Sequence, residues 1–351
     1  MYNEKTIYFH IGSPKTGTTS IQRFFFENKV ALKNQYNIDY PILSSDSFRE
    51  ITNGKYLDRP DLFSKFISVV DSSNCSRILI SEESLFLYKD INFFKRKEFE
   101  KYKLIFIVYL RNSFDYLSSL WGEMAKVYNR DENYISLEGY LKKNSYKESL
   151  NYLLELSQYF GKENIIVKSF EKESFTNTSL IEDFLSIFDI NSNKDFIYSA
   201  EQNMSVSRKE CDIVTFLKPT FKLINYSQND IEILIEALEG GDVKIAETIS
   251  DVTIKKICDE TSPIEVVIEN ELCGGKKLFI NKYPKVYGKK RLKYSPISLK
   301  GKLIILHFIR MKMKLENIPL SSIGFRQNLD LGWAYSKLFF ENFKHSVNRL
   351  F

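Results

Sequence analysis

A chain of 351 residues, 43% apolar and 27% charged, is long enough to bury a large core and is neither disordered nor fibrous in composition. Four scattered cysteines (Cys75, Cys211, Cys258, Cys273) indicate neither a zinc ribbon nor a disulfide framework, and three histidines argue against a multi-histidine metal centre. The net charge of +5 is uneven: residues 276–314 carry thirteen Lys or Arg and no Asp or Glu, which leaves the remainder acidic.

In chain order, MYNEK carries no visible secretory signal and runs into TIYFHI (6–11), a β-rich apolar stretch that breaks at Gly12. TTSIQRFFFENKVALKNQ (18–35) has helical apolar spacing, so residues 6–35 read as strand, tight loop and helix. His10 is assigned to the packed sheet and Phe24–Phe26 to the core. RILIS (77–81) and LIFIVYL (104–110) are short continuous apolar runs, as strands of a parallel sheet covered on both faces require. Residues 112–128 predict a helix capped by Asn112 or Ser113, with Asp115 in its first turn. Helix 146–161, strand 164–170 and helix 179–190 follow.

Strands alternating with helices predict a three-layer α/β fold with a mainly parallel sheet and a strand–loop–helix of P-loop type. Beyond about residue 200 the pattern turns mainly helical (227–240), then basic, then aromatic. The expected division is a core at 1–210 and a helical, basic C-terminal region at 211–351, packed on that core. No apolar run approaches the roughly 18 residues that span a bilayer, so a cytoplasmic protein is expected.

From Gly12 to Thr19 the spacing is that of a phosphate loop, G-x-x-x-x-G-x-[ST], but Thr18 occupies the place where a nucleoside-triphosphate loop has its lysine. The loop's lysine is Lys15, before Gly17. Backbone N–H groups of such a turn converge on one spot beside a helix N-terminus, and Ser13, Thr16, Thr18 and Thr19 add hydroxyls. LIFIVYL is followed by Arg111 rather than by an acidic residue that would hold magnesium, which counts against an ATP or GTP site.

HIGSPKTGTTS (10–20) resembles the 5′-phosphosulfate loop of sulfotransferases that use 3′-phosphoadenosine 5′-phosphosulfate (PAPS). The resemblance implies that Lys15 faces the oxygen bridging phosphate and sulfate. VYLRNSFDYLSSLW (108–121) resembles the same family's 3′-phosphate segment, with Arg111 and Ser119 eight residues apart, although Ser113 replaces its usual proline. Ser20 stands where some members carry an aromatic residue that stacks on adenine. QNMSVSRKE (202–210) is similar to an N-x-S-x-S segment of bacterial members, making Asn203, Ser205 and Ser207 weaker candidates for closing over the nucleotide.

Sulfuryl transfer to an alcohol needs a proton acceptor, and RILISEESLF (77–86) places two carboxylates at a strand's end. Spacing from Ser81 favours Glu83, whereas alignment on the histidine of cytosolic relatives favours Glu82. The two would face opposite ways on a continuing strand. The resemblance implies a bacterial carbohydrate-directed enzyme that needs PAPS and no metal. Its acceptor would be a carbohydrate or lipid-linked glycan, and no nucleic-acid partner is expected. The alternatives are a P-loop kinase of a small metabolite and a non-catalytic nucleotide- or glycan-binding module. The basic run and the tail 331–351, with Trp333, Phe339, Phe340 and Phe343, suit an anionic glycan or the inner face of an anionic membrane.

Overall fold

The structure is a computed structural model describing residues 5–42, 52–54, 60–126, 137–191, 195–198, 233–234, 249–280 and 307–311. Strands β1 (Thr6–His10), β2 (Ile38–Asp39), β3 (Arg77–Ser81), β4 (Lys103–Leu110) and β5 (Ile165–Ser169) form one parallel sheet in the order β2-β3-β1-β4-β5. The register aligns His10 with both Ser81 and Ile107, and Leu110 with Ser169. The chain passes from β3 on one side of β1 to β4 on the other. The crevice at the carboxyl ends of these strands is where open α/β sheets bind ligands.

Strand alternation divides the aromatic core between the two faces. Tyr8, Leu79, Ile107 and Tyr109 pack with Phe25, Phe184 and Phe188 from α1 (Thr18–Glu27), α9 (Leu180–Ser186) and the turn after α9. Phe9 and Phe106 point the other way. Phe9 meets Phe66, Phe94 and Phe99, and Phe106 meets Phe94 and Phe160. These partners come from α3 (Pro60–Ser72), α5 (Ile91–Phe94), the turn before β4, and α8 (Lys147–Phe160). Burying one such ring contributes on the order of 2–3 kcal/mol, and Phe24 and Phe25 belong to this core as their spacing predicts.

The predicted helix at 18–35 is two helices, α1 and α2 (Lys29–Tyr36), separated by Asn28. Asn28 is buried, and its amide donates to Phe24 O and Ile197 O while its Oδ1 accepts from Ile197 N. A tertiary contact therefore interrupts the helix. α4 (Ser84–Tyr88) follows β3 after two residues, and α6 (Ser113–Lys126) follows β4. Helix α8 stops at Gly161, whose φ of 91° lies outside the range open to other residues, and Ser179 caps α9.

The chain divides into two compact units. One comprises Met1–Leu120, Asn144–Met204 and Lys255–Pro284; the other comprises Trp121–Lys143, Ser205–Ile254 and Lys285–Phe351. Most of a long C-terminal helix, α10 (Asp251–Leu272), thus belongs to the unit that holds the sheet. In the second unit, Glu138 of α7 (Leu137–Lys143) accepts hydrogen bonds from Ser250 and Thr253. Asn203, Ser205, Ser207, the tail 331–351 and nearly all of the helix expected at 227–240 lie outside the described residues, as does most of the basic run beyond residue 280. No helix among the described residues is long and apolar enough to cross a membrane.

Candidate active site

The loop between β1 and α1 turns through left-handed conformations at Gly12 (φ 46°), Lys15 (φ 68°) and Gly17 (φ 73°). Lysine in that region costs about 1–2 kcal/mol relative to an ordinary backbone, and such strain collects where a loop is shaped for a ligand. A side chain at Gly17 would collide with Leu180 Cδ2 and approach Phe170 Cε2 to 3.1 Å, so glycine is required on two counts. Ser20 and Ile21 donate their N–H groups to Gly17 O, and Thr18 and Thr19 begin the helix with N–H groups that have no intrahelical acceptor.

The predicted phosphate hydroxyls differ in what they do. Ser13 Oγ lies 3.1 Å from Tyr146 Oη, and Thr16 Oγ1 donates to Ser13 O at 2.5 Å; both side chains are buried and brace the loop from within. Thr18 Oγ1 donates 2.8 Å to Glu83 Oε2. Lys15, Gly17 and Thr19 are the half-exposed positions.

The two carboxylates after β3 have separate environments. The strand ends at Ser81, so they are parted by a strand-to-helix turn rather than by strand alternation. Glu82 is buried, its N–H donates to His10 O, and its Oε1 accepts from Ser84 N at the start of α4. Glu83 is half-exposed and reaches the loop after β1 through Thr18. Asn53 secures the turn by donating to Leu79 O and accepting from Ser81 N. Gly54 lies so close that a Cβ would fall 2.6 Å from Glu82 Cβ.

Beneath the loop, His10 Nδ1 is 2.7 Å from Ser81 Oγ. Its buried Nε2 has no hydrogen-bond partner among the described residues and would lie 3.4 Å from a Cβ at Gly12. Burial lowers the His10 pKa to about 3, so its ring is neutral. His10 therefore does more than pack the sheet: it joins the loop after β1 to the carboxylate turn after β3.

At the end of β4, Arg111 Nη1 donates 2.7 Å to Ser119 Oγ, so the predicted pair is in contact. Asn112 is the helix cap: its Oδ1 accepts from Asp115 N and its amide donates to Asp115 Oδ2. Burial lowers the Arg111 pKa, with Asp115 acting in the opposite direction. Among the described residues the buried Nε of Arg111 has no acceptor. Ser118 Oγ, one residue before Ser119, is likewise buried and unpartnered. A desolvated guanidinium with an unused donor has the chemistry to take an anion.

Phe170, directly after β5, connects the two motifs. Its ring lies 4.7 Å from the Arg111 guanidinium carbon, and its edge packs beside Gly17. Its N–H donates to Leu110 O, continuing the β4–β5 pairing. Phe170 reads as the last residue of an apolar strand, and its place beside Arg111 at a strand's carboxyl end was the signal available. Two further participants gave no local signal. Tyr146 stacks on Tyr116 at 3.8 Å between centroids and touches Ser13, and burial pushes its phenol well above the ordinary value. Glu265 of α10, also buried, accepts 2.9 Å from Ser113 Oγ at the base of the Arg111 helix. No group of three or more His, Cys, Asp or Glu that could hold a metal ion occurs among the described residues.

No protein-family model matches the chain, and no curated protein matches it in sequence. Among solved structures, a sulfotransferase from Alicyclobacillus acidocaldarius is similar at 18% identity and a TM-score of 0.33, over 64% of this chain and 98% of that one. A superposition that loose carries no argument, and the α/β fold stands on the sheet described above.

Proposed function

We propose that the chain is a sulfotransferase that moves a sulfuryl group from PAPS to a hydroxyl or amine of an acceptor, a carbohydrate or lipid-linked glycan fitting best. One observation carries the reading: two separate anion grips, the Lys15 loop after β1 and the Arg111–Ser119 pair after β4, open at the ends of adjacent strands and meet across Phe170. That pairing suits a nucleotide phosphorylated at both 5′ and 3′ positions. The unused Nε of Arg111 supports it further.

When bound, PAPS supplies a sulfuryl group held on a phosphate oxygen. Arg111 and Ser119 would hold the 3′-phosphate, and the loop N–H groups would hold the 5′-phosphate. Lys15 would offset the negative charge that such a leaving group develops. Glu83 would accept the proton of the acceptor hydroxyl. Glu82, buried and tied to Ser84, serves the turn rather than the chemistry. The basic run 276–314 and the aromatic tail would hold an anionic acceptor or a membrane surface, which sedimentation with anionic liposomes at low and high salt tests.

The reading is tested by transfer of labelled sulfate from PAPS to a panel of glycans and glycolipids. The Lys15→Ala variant should lose about two to three orders of magnitude in turnover. A chain that transfers phosphate from ATP with magnesium, and no sulfate from PAPS, would be a kinase instead.

A further inference from the structure

Thr18 stands between the two halves of the site. It is the residue after Gly17 and belongs to the phosphate loop, yet its hydroxyl donates to Glu83 Oε2 at 2.8 Å. A threonine hydroxyl has one proton and can donate to one acceptor at a time. The side chain is held in place: it is 5% exposed, and its Cγ2 would lie 2.6 Å from a Cβ at Gly12. The loop is braced independently by Ser13, Thr16 and Tyr146, so its shape does not depend on the Thr18–Glu83 bond. A phosphate entering the loop meets the Thr18 N–H at the helix N-terminus and offers the hydroxyl a second anionic acceptor.

Building on the proposed function, we propose that Thr18 couples the two substrates. Filling the phosphate loop transfers the Thr18 hydroxyl from Glu83 to the phosphate, which frees the carboxylate to accept the acceptor's proton only once the donor is in place. Thr18 is a positioning residue in this account, and no bond other than hydrogen bonds changes. The consequence is ordered binding, donor first, and a reciprocal coupling between Glu83 and nucleotide affinity.

The test is a double-mutant cycle on the full chain, read by calorimetric titration with adenosine 3′,5′-bisphosphate. Glu83→Ala removes both a competing acceptor and a negative charge, so it should tighten binding. In the Thr18→Val background only the charge effect remains, and the tightening should be smaller by roughly fivefold or more, the scale of a hydrogen bond to a charged group. Thr18→Ser keeps the hydroxyl and should restore the wild-type coupling, which separates the exchange from a packing defect. Equal tightening in the threonine and valine backgrounds overturns the proposal while leaving the sulfotransferase reading intact. If the wild-type chain binds neither the bisphosphate nor pyrophosphate, the loop is not a phosphate site and both readings fail. If it binds pyrophosphate but not the bisphosphate, the same cycle run with pyrophosphate decides the coupling, and the sulfotransferase reading fails alone.

Discussion

His10 shows what a single side chain adds to such a site. Its ring is wholly buried, bonded to Ser81 and adjacent to Gly12, and burial holds its pKa at about 3 against an ordinary 6.5. The unfolded chain binds this proton below pH 6.5 while the folded chain does not, so the stability His10 contributes is complete above that pH and declines as pH falls toward 3. By pH 5 the loss from this residue is about 2 kcal/mol. Urea unfolding at pH 7 and pH 5 should therefore show a larger drop for the wild type than for His10→Gln; equal drops would show that the ring is protonated in the folded state. The two glutamates divide in the same residue-level way. Glu83→Gln should lower turnover roughly 10²–10⁴-fold while nucleotide binding is retained. Glu82→Gln should chiefly lower the melting temperature, because its carboxylate caps the turn into α4. Full activity in Glu83→Gln with loss in Glu82→Gln would reverse that assignment.

Among the elements, the strands were the most legible, since continuous apolar runs such as RILIS and LIFIVYL have few places to go except a sheet covered on both faces. Helix ends marked by local chemistry were legible too, as at Asn112 and Gly161. The break at Asn28 was not. Its cause is the backbone of Ile197, 169 residues away in sequence, and no local spacing encodes that partner. Replacing Asn28 with alanine would remove both bonds to Ile197, and a cost of about 1 kcal/mol is expected in denaturant unfolding. A change below half a kcal/mol would mean that water takes over both groups. The turn at 52–54 was hidden for the same reason: Asn53 satisfies the edge of β3 through tertiary contacts.

For the molecule as a whole, the site is assembled from the carboxyl ends of four parallel strands. β1 supplies the loop, β3 the carboxylates, β4 Arg111 and β5 Phe170. The positions of Lys15, Glu83, Arg111 and Ser119 at the strand ends were legible because each follows an apolar strand or keeps a fixed spacing from one that does. Tyr146 and Glu265 were not, because a helix N-cap residue and a distant C-terminal helix reach the site only through the fold. In the proposed function, Arg111 and Ser119 would hold a 3′-phosphate while the Lys15 loop would hold a 5′-phosphate. Calorimetric titration of adenosine 3′,5′-bisphosphate against adenosine 5′-monophosphate, on the wild type and on Arg111→Ala, measures that claim directly. The wild type should prefer the bisphosphate by roughly tenfold or more, as charge-assisted hydrogen bonds imply, and Arg111→Ala should bind the two nearly alike. Equal affinity in the wild type, or a preference that survives in Arg111→Ala, would contradict it.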